Sequence, residues 1–415
     1  MASQPHSLRI VPIALCMMLL SGLLAGVSMI GGCGGDAGAN IEALNDPKGL
    51  PSNDEFRDRL DEVLEFTFDR RLNTSDHGAW QILHGALAYK REFLVEHNGE
   101  MKSAVDHVLE GGQMKGWDVQ KGDKIYDEEG EVNQHGLRAT LALGSKIGQG
   151  HSDQWFAVLS QCDLPPDQEI QVGTETPYSM EHILRQIMLD VHRNEQREFS
   201  WTLIGLSMYL NSDAEWEDRN KGKWSIERLV EIEAEHPVGN GACGGTHRLI
   251  GMTMALQQHV DRGGKVQRVW KTADERIKLA VENARKYQNE DGSFSSSYLI
   301  RPGRTPDLAQ NLGTTGHVLE FLTLALSDEE LKQPWVKRAV LNLCDLFEKT
   351  QNDPLECGAL YHAAHGLVLY RERVFGKRTF GAADIAANEA EADDEALNNG
   401  GDGDEADRPG DPSAD

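Results

Sequence analysis

The chain has 415 residues and a formal charge of -26, with 67 acidic against 41 basic side chains. Such an excess of anions excludes nucleic acid and anionic lipid headgroups as direct electrostatic partners, because both would repel it. The length suits two or three ordinary domains, or a single body assembled from repeats.

At the start, Arg9 precedes an uncharged stretch from Ile10 to Cys33, the order of an export signal. The stretch ends Ile30-Gly31-Gly32-Cys33, which resembles the lipobox of bacterial lipoproteins, whose Cys is lipidated and becomes the mature N-terminus. An uncleaved anchor is the alternative, since about 20 apolar residues span a bilayer. Both readings place an exported body on the envelope, periplasmic or outer, tethered to the lipid bilayer. Residues 34–54, rich in Gly, Asp, Asn and Pro, read as a spacer.

From 55 to 376, apolar residues recur with the 3.6-residue period of half-buried helices. The stripes include Phe56, Leu60, Val63 and Leu64; Met101, Ala104, Val105, Val108 and Leu109; and Met180, Ile183, Leu184 and Ile187. Ile226, Leu229 and Val230 form another, as do Ile277, Ala280, Val281 and Ala284, and then Val336, Ala339, Val340, Leu343 and Phe347. Between them lie six related strings: HGALAYKREF from His84, HGLRATLALG from His135, WTLIGLSMYL from Trp201, HRLIGMTMAL from His247, HVLEFLTLAL from His317 and HGLVLYRERV from His365. These are apolar nearly all round, and their heads are 51, 66, 46, 70 and 48 residues apart. Such self-similarity is the mark of a repeat. It predicts an all-α fold, an α/α toroid of about six helical hairpins with inner helices around a central cavity. A tetratricopeptide-like solenoid is the alternative, with units nearer 34 residues. No segment reads as a run of strands. Residues 377–415 read as a disordered acidic tail, with twelve carboxylates and only Arg408 as a cation from Thr379 onward.

The string Gln288-Asn289-Glu290-Asp291-Gly292-Ser293-Phe294 resembles the Q-x-x-D-G-S-W/F motif of squalene and terpenoid cyclases. Tyr361-His362 followed by Gly366-Leu367 looks like a shortened zinc-binding stretch of protein prenyltransferase β-subunits, and Gly303-Arg304 is similar to the G-R before their zinc Asp and Cys. The resemblance implies a toroid over most of residues 55–375. The family's chemistry does not follow: Gln310 and Leu312 stand where the zinc Asp and Cys are expected, and the body has neither D-x-D-D nor D-D-x-x-D.

Histidines at or near the predicted inner-helix starts are the candidate site, because inner-helix ends open onto a toroid cavity. His317 and Glu320, and His362 and His365, are spaced i, i+3 and form the candidate acid–base group. Cys243 and His247, spaced i, i+4, are the candidate ligands of a zinc ion completed by a second unit. His77, His84, His135, Trp201 and Tyr361 are expected to line the ligand cavity, with Arg138 and Arg248 nearby. Packing roles compete with each assignment: a repeated His can bond backbone, and Trp201 can be core. Cys243 at the end of a Gly-rich loop can also act as a thiolate nucleophile. Three functions remain open: binding of a hydrophobic or carbohydrate ligand, a toroid lyase or hydrolase acting on sugars (or a terpenoid cyclase or prenyltransferase-like enzyme), and an envelope scaffold for other proteins.

Overall fold

The computed structural model describes residues 41–126, 132–141, 151–173, 177–195 and 198–381. Cys33 and the acidic stretch from 382 lie outside them. The described residues are mostly helical, with small sheets only, as an all-α class requires. The helices are α1 (Ile41–Asn45), α2 (Asn53–Phe68), α3 (Ala79–Tyr89), α4 (Ala104–Leu109), α5 (Gln154–Ser160), α6 (Met180–Asp190) and α7 (Ser200–Tyr209). There follow α8 (Ile226–Glu235), α9 (Thr246–Asp261), α10 (Val269–Lys286), α11 (Leu308–Ala325), α12 (Asp328–Leu331), α13 (Pro334–Lys349) and α14 (Cys357–Phe375).

Two kinds of helix alternate. In α2, α6, α8, α10 and α13 most of the predicted apolar stripe is buried and the charged side chains are not, buried Glu233 of α8 excepted. By contrast α3, α5, α7, α11 and α14 are buried along most of their length, as is the first half of α9. The buried helices have a simple neighbour order: α3 packs on α5, α5 on α7, α7 on α9, α9 on α11, α11 on α14, and α14 again on α3. At the end of α10, Gln288 donates to the carbonyls of Gly292 and Trp335 at 2.8 and 2.9 Å, fastening the loop to the start of α13. Gly292 has φ +88°, and a Cβ there would lie 2.4 Å from the carbonyl oxygen of Arg338, so only glycine fits that turn.

Three expectations need correction. The string from His135 is a strand: Val132–Leu141 pairs antiparallel with Trp117–Tyr126, and the hairpin packs on α6. The place among the buried helices passes instead to α5, whose seven residues are too short to show a period and are all buried. Further short strands form three other small sheets, and Met101 belongs to one of them, the helix beginning only at Ala104 behind a Ser103 cap. Packing also extends beyond both ends expected for the body. Leu44 is buried, and Phe380 stacks on Phe68 and meets Tyr89 edge-on.

Small residues bring the buried helices close. A Cβ on Gly316 of α11 would lie 2.6 Å from Cα of Ala363 on α14, and one on Gly366 would lie 3.0 Å from the Glu320 nitrogen. A Cβ on Gly251 of α9 would lie 2.9 Å from the Ser200 carbonyl oxygen of α7, and one on Gly205 of α7 would lie 2.5 Å from the Phe156 ring of α5. Gly316→Ala sets two effects against each other: alanine favours a helix interior by about 1 kcal/mol, whereas forcing a methyl into a full interface costs about 1–3 kcal/mol. The backbone clash decides the sign. Chemical denaturation of Gly316→Ala is expected to show a net loss of about 1–2 kcal/mol; a gain would mean that the two helices are further apart than described.

Candidate functional site

A cavity of about 890 Å³ takes wall residues from each of the six buried helices: Trp80 and His84 on α3, Gln154 on α5, Trp201 on α7, His247 on α9, His317 on α11 and His362 on α14. That volume suits a small organic ligand. Four imidazoles meet in its wall. The His362 ring lies 4.2 Å from His317 and 5.1 Å from both His84 and His247, centroid to centroid. Trp80 lies 4.2 Å from His84, and Trp201 lies 4.7 Å from His247.

Each ring is held differently. His84 donates from Nδ1 to the Trp80 carbonyl one turn back, and its Nε2 meets the Gln154 amide nitrogen at 3.2 Å. His317 donates from Nδ1 to the Gly313 carbonyl at 2.7 Å. Glu320 spends its two oxygens on α14, accepting from Nδ1 of His362 at 2.8 Å and from Nδ1 of His365 at 2.7 Å. In the neutral His317 ring, the proton fixed on Nδ1 leaves Nε2 with a free lone pair, the form that accepts a proton or binds a metal. His247 is the exception. It is 6 % exposed, yet neither ring nitrogen has a hydrogen-bond partner, a state that ordinarily costs about 1–3 kcal/mol for each buried group.

The electrostatics follow from burial. Loss of solvent, with His362 adding to it, pushes His84 and His317 down to about 3 and His247 well below the imidazole range. For Glu320 burial opposes ionisation, but the charge and hydrogen bonds of His362 and His365 outweigh it and hold the carboxyl well below its usual range. The cluster is therefore a buried carboxylate among imidazoles of which at least three are neutral.

The loop before α9 adds sulfur. Cys243, Gly244 and Gly245 take left-handed φ values of 50°, 66° and 84°. A Cβ on Gly245 would lie 1.8 Å from the Val238 carbonyl oxygen. The non-glycine Cys243 carries strain of about 1 kcal/mol or more. Burial, helped by Glu320, Glu198 and Glu356, pushes its thiol up to about 12, so the side chain is not a nucleophile by itself. Among the described residues, Cys243, His247 and His317 form the one group of His, Cys, Asp or Glu placed to share a metal ion, their ligand atoms all within 4.8 Å of one another.

The predicted site residues thus divide. Cys243, His84, Trp201, His247, His317 and His362 share the cavity wall, and Glu320 stands buried behind His362. His365 reaches Glu320 from the far side and borders a separate cavity of about 240 Å³. Tyr361 points away, donating to the Arg70 carbonyl with its ring against Phe93. His77 bonds locally to Asn73 outside the wall, and His135 sits on the hairpin, with Nδ1 3.3 Å from the Gly122 carbonyl. Nor does Arg138 reach the cavity: it bridges Asp123 and Asp190 beneath the hairpin. Arg248 does line it, but its guanidinium is paired with buried Glu233 at 2.8 Å. Sequence reasoning missed His151, Gln154, Glu198, Tyr298 and Glu356, all in the wall. Of these only Glu356 had a sequence signal, an acceptor just ahead of a helix, and it caps α14 by accepting from the nitrogens of Gly358 and Ala359. No protein-family model, curated protein or solved structure matches the chain.

Acid should weaken the fold in a defined window. His84, His247 and His317 are neutral when folded but take up protons near pH 6.5 when unfolded, so the stability they share is present above that pH and is lost as pH falls toward 3. Glu320, depressed in the fold, adds stability above about 4.5 that is lost at lower pH. Denaturant midpoints in chelator are expected to fall from pH 7 to pH 4.5, each of the three imidazoles contributing up to about 1.4 kcal/mol per pH unit. A flat profile across that window would contradict the burial of neutral rings.

Proposed function

We propose that this chain is an exported, membrane-tethered binding protein whose body is an α/α toroid of six helical hairpins and whose central, His-lined cavity takes a carbohydrate-class ligand. Support for the toroid is the neighbour order of the six buried helices, which returns from α14 to α3, where a solenoid would leave its first and last units apart. The hydrogen-bonded Gln288–Gly292 turn at the end of α10 supports kinship with the terpenoid-cyclase superfamily in architecture. The observation that carries the ligand reading is one cavity walled by all six buried helices.

Its chemistry favours sugars over an isoprenoid. Trp80, Trp201 and Tyr298 offer apolar faces on which sugar rings stack, while Gln154, Glu198, Gln310 and Glu356 supply hydrogen bonds to hydroxyls. A wholly apolar ligand would desolvate those polar groups without replacing water. A second reading, a lyase or hydrolase acting on sugars, is favoured by the Glu320–His362 pair, since Glu320 orients the ring of a cavity residue through its Nδ1 proton, the carboxylate–imidazole arrangement that proton transfer uses.

Tryptophan fluorescence titration against a panel of oligosaccharides tests the binding reading. At least one class should bind saturably, and Trp201→Ala, folded by circular dichroism, should bind it about tenfold or more weakly, in line with about 1.4 kcal/mol for a lost stacking face. Absence of any saturable saccharide binding would overturn it, and product formation in the same mixtures would establish the enzyme. For the tether, Cys33→Ser is expected to move the exported protein from the membrane to the soluble fraction; unchanged membrane association would point to an uncleaved anchor.

A further inference from the structure

The cavity wall contains a feature that saccharide binding does not use: a thiol and two buried imidazoles in reach of one another. We propose that Cys243, His247 and His317 form a binding site for a divalent transition-metal ion, Zn²⁺ by preference, with a fourth coordination position open to the cavity.

Geometry comes first. Three ligand atoms all within 4.8 Å of one another leave a common point no further than about 2.8 Å from each. Zinc bonds to nitrogen and sulfur are about 2.0–2.3 Å, so each ligand has to move inward by roughly 0.5–0.8 Å, which small side-chain rotations supply. The three come from two elements: Cys243 and His247 lie one turn apart across the start of α9, and His317 reaches over from neighbouring α11.

Two further observations point to a ligand independently of that spacing. His247 is buried to 94 % (6 % exposed), lines the cavity, and has no hydrogen-bond partner on either ring nitrogen. A metal on one of them removes that cost. His317 already has the outer support of a metal ligand, its Nδ1 proton held by the Gly313 carbonyl and its Nε2 left bare. Carboxylates surround the trio: Glu198 and Glu356 line the wall, Glu320 stands behind it, and the one guanidinium among the described wall residues, Arg248, is held by Glu233. A bound dication balances this field.

The ligand set chooses the metal. One thiolate with two imidazoles suits Zn²⁺, and Co²⁺ as its spectroscopic substitute, whereas Mg²⁺ and Ca²⁺ want oxygen. Three protein ligands beside an open cavity are the pattern of a reactive zinc, in contrast to the closed four-ligand structural sites. The site stands on the cavity alone and does not depend on the saccharide reading, so the test contains no sugar.

The test titrates the reduced, metal-free protein with Co²⁺ and then Zn²⁺, alongside metal analysis of protein purified without chelator. About one equivalent of zinc is expected, with a thiolate-to-cobalt charge-transfer band in the near ultraviolet that Zn²⁺ abolishes. Cys243→Ser should remove the band, and His247→Gln and His317→Gln should each weaken binding by about 100-fold or more. Cys357→Ala, a cysteine outside the trio, should leave it intact. Folding of each variant is checked by its denaturation midpoint, and the wild-type titration does not depend on any variant. Absence of the cobalt band in wild-type protein with Cys243 titrating as a free thiol, together with less than a tenth of an equivalent of metal, would overturn the proposal. Saccharide binding that persists in such a protein would leave the ligand reading standing by itself.

Discussion

Everything at the site depends on how closely α11 and α14 approach. Gly313, Gly316 and Gly366 let the two backbones meet across Ala359 and Ala363, and that approach alone allows the short reach of Glu320 to bridge His362 and His365. A buried carboxylate is costly unless it is paired and hydrogen-bonded. Here both of its oxygens are taken by imidazole N–H groups, and this orients His362, the ring around which the other three gather. Sterics at three glycines thus become electrostatics at the cavity.

From that pair the remaining wall follows by packing. The α9 helix lies against α11, and its first turn carries His247 beside His317. The left-handed Cys243-Gly244-Gly245 turn carries the sulfur to the same place. Burial keeps His84, His247 and His317 neutral, and His317, with its Nδ1 proton fixed on the Gly313 carbonyl, presents a lone pair at Nε2. The proposed functions use this in two ways: hydrogen bonding and stacking for a sugar, coordination for a cation. The cost is acid lability, since neutral buried rings favour unfolding once free histidine would be protonated.

Much of this was legible in the sequence because it rests on periodicity. The stripes at Phe56, Ile183, Leu229 and Val336 are amphipathic helices, and the strings headed by His84, Trp201, His247, His317 and His365 lie in buried ones. Glu320 stands in its string where the sister strings headed by Trp201 and His247 have Ile204 and Ile250, and it is the buried carboxylate of the cluster. Similarity failed where it was loosest. HGLRATLALG carries the apolar content of its sisters, but pairing with Trp117–Tyr126 decides its conformation, and partners as far off as Trp117, which pairs with Leu141, are not written in a local window. The true sixth buried helix, α5, has seven residues and no period to read. Direction was harder still than existence. Tyr361 is adjacent to His362 in sequence, yet about 100° around the helix it faces Phe93 and Arg70 and not the cavity. Loop residues such as Tyr298 and Glu198 reach the wall only through tertiary folding, and no spacing announces them.

The central claim is that six buried helices converge on one cavity and that their histidines are arranged there for a ligand. An X-ray structure of the protein purified without chelator, with data collected on both sides of the zinc absorption edge, tests it most directly. The account predicts an anomalous peak between Cys243, His247 and His317, in a cavity walled by α3, α5, α7, α9, α11 and α14. A closed interior in which His247 bonds to protein groups and Cys243 points away would contradict it.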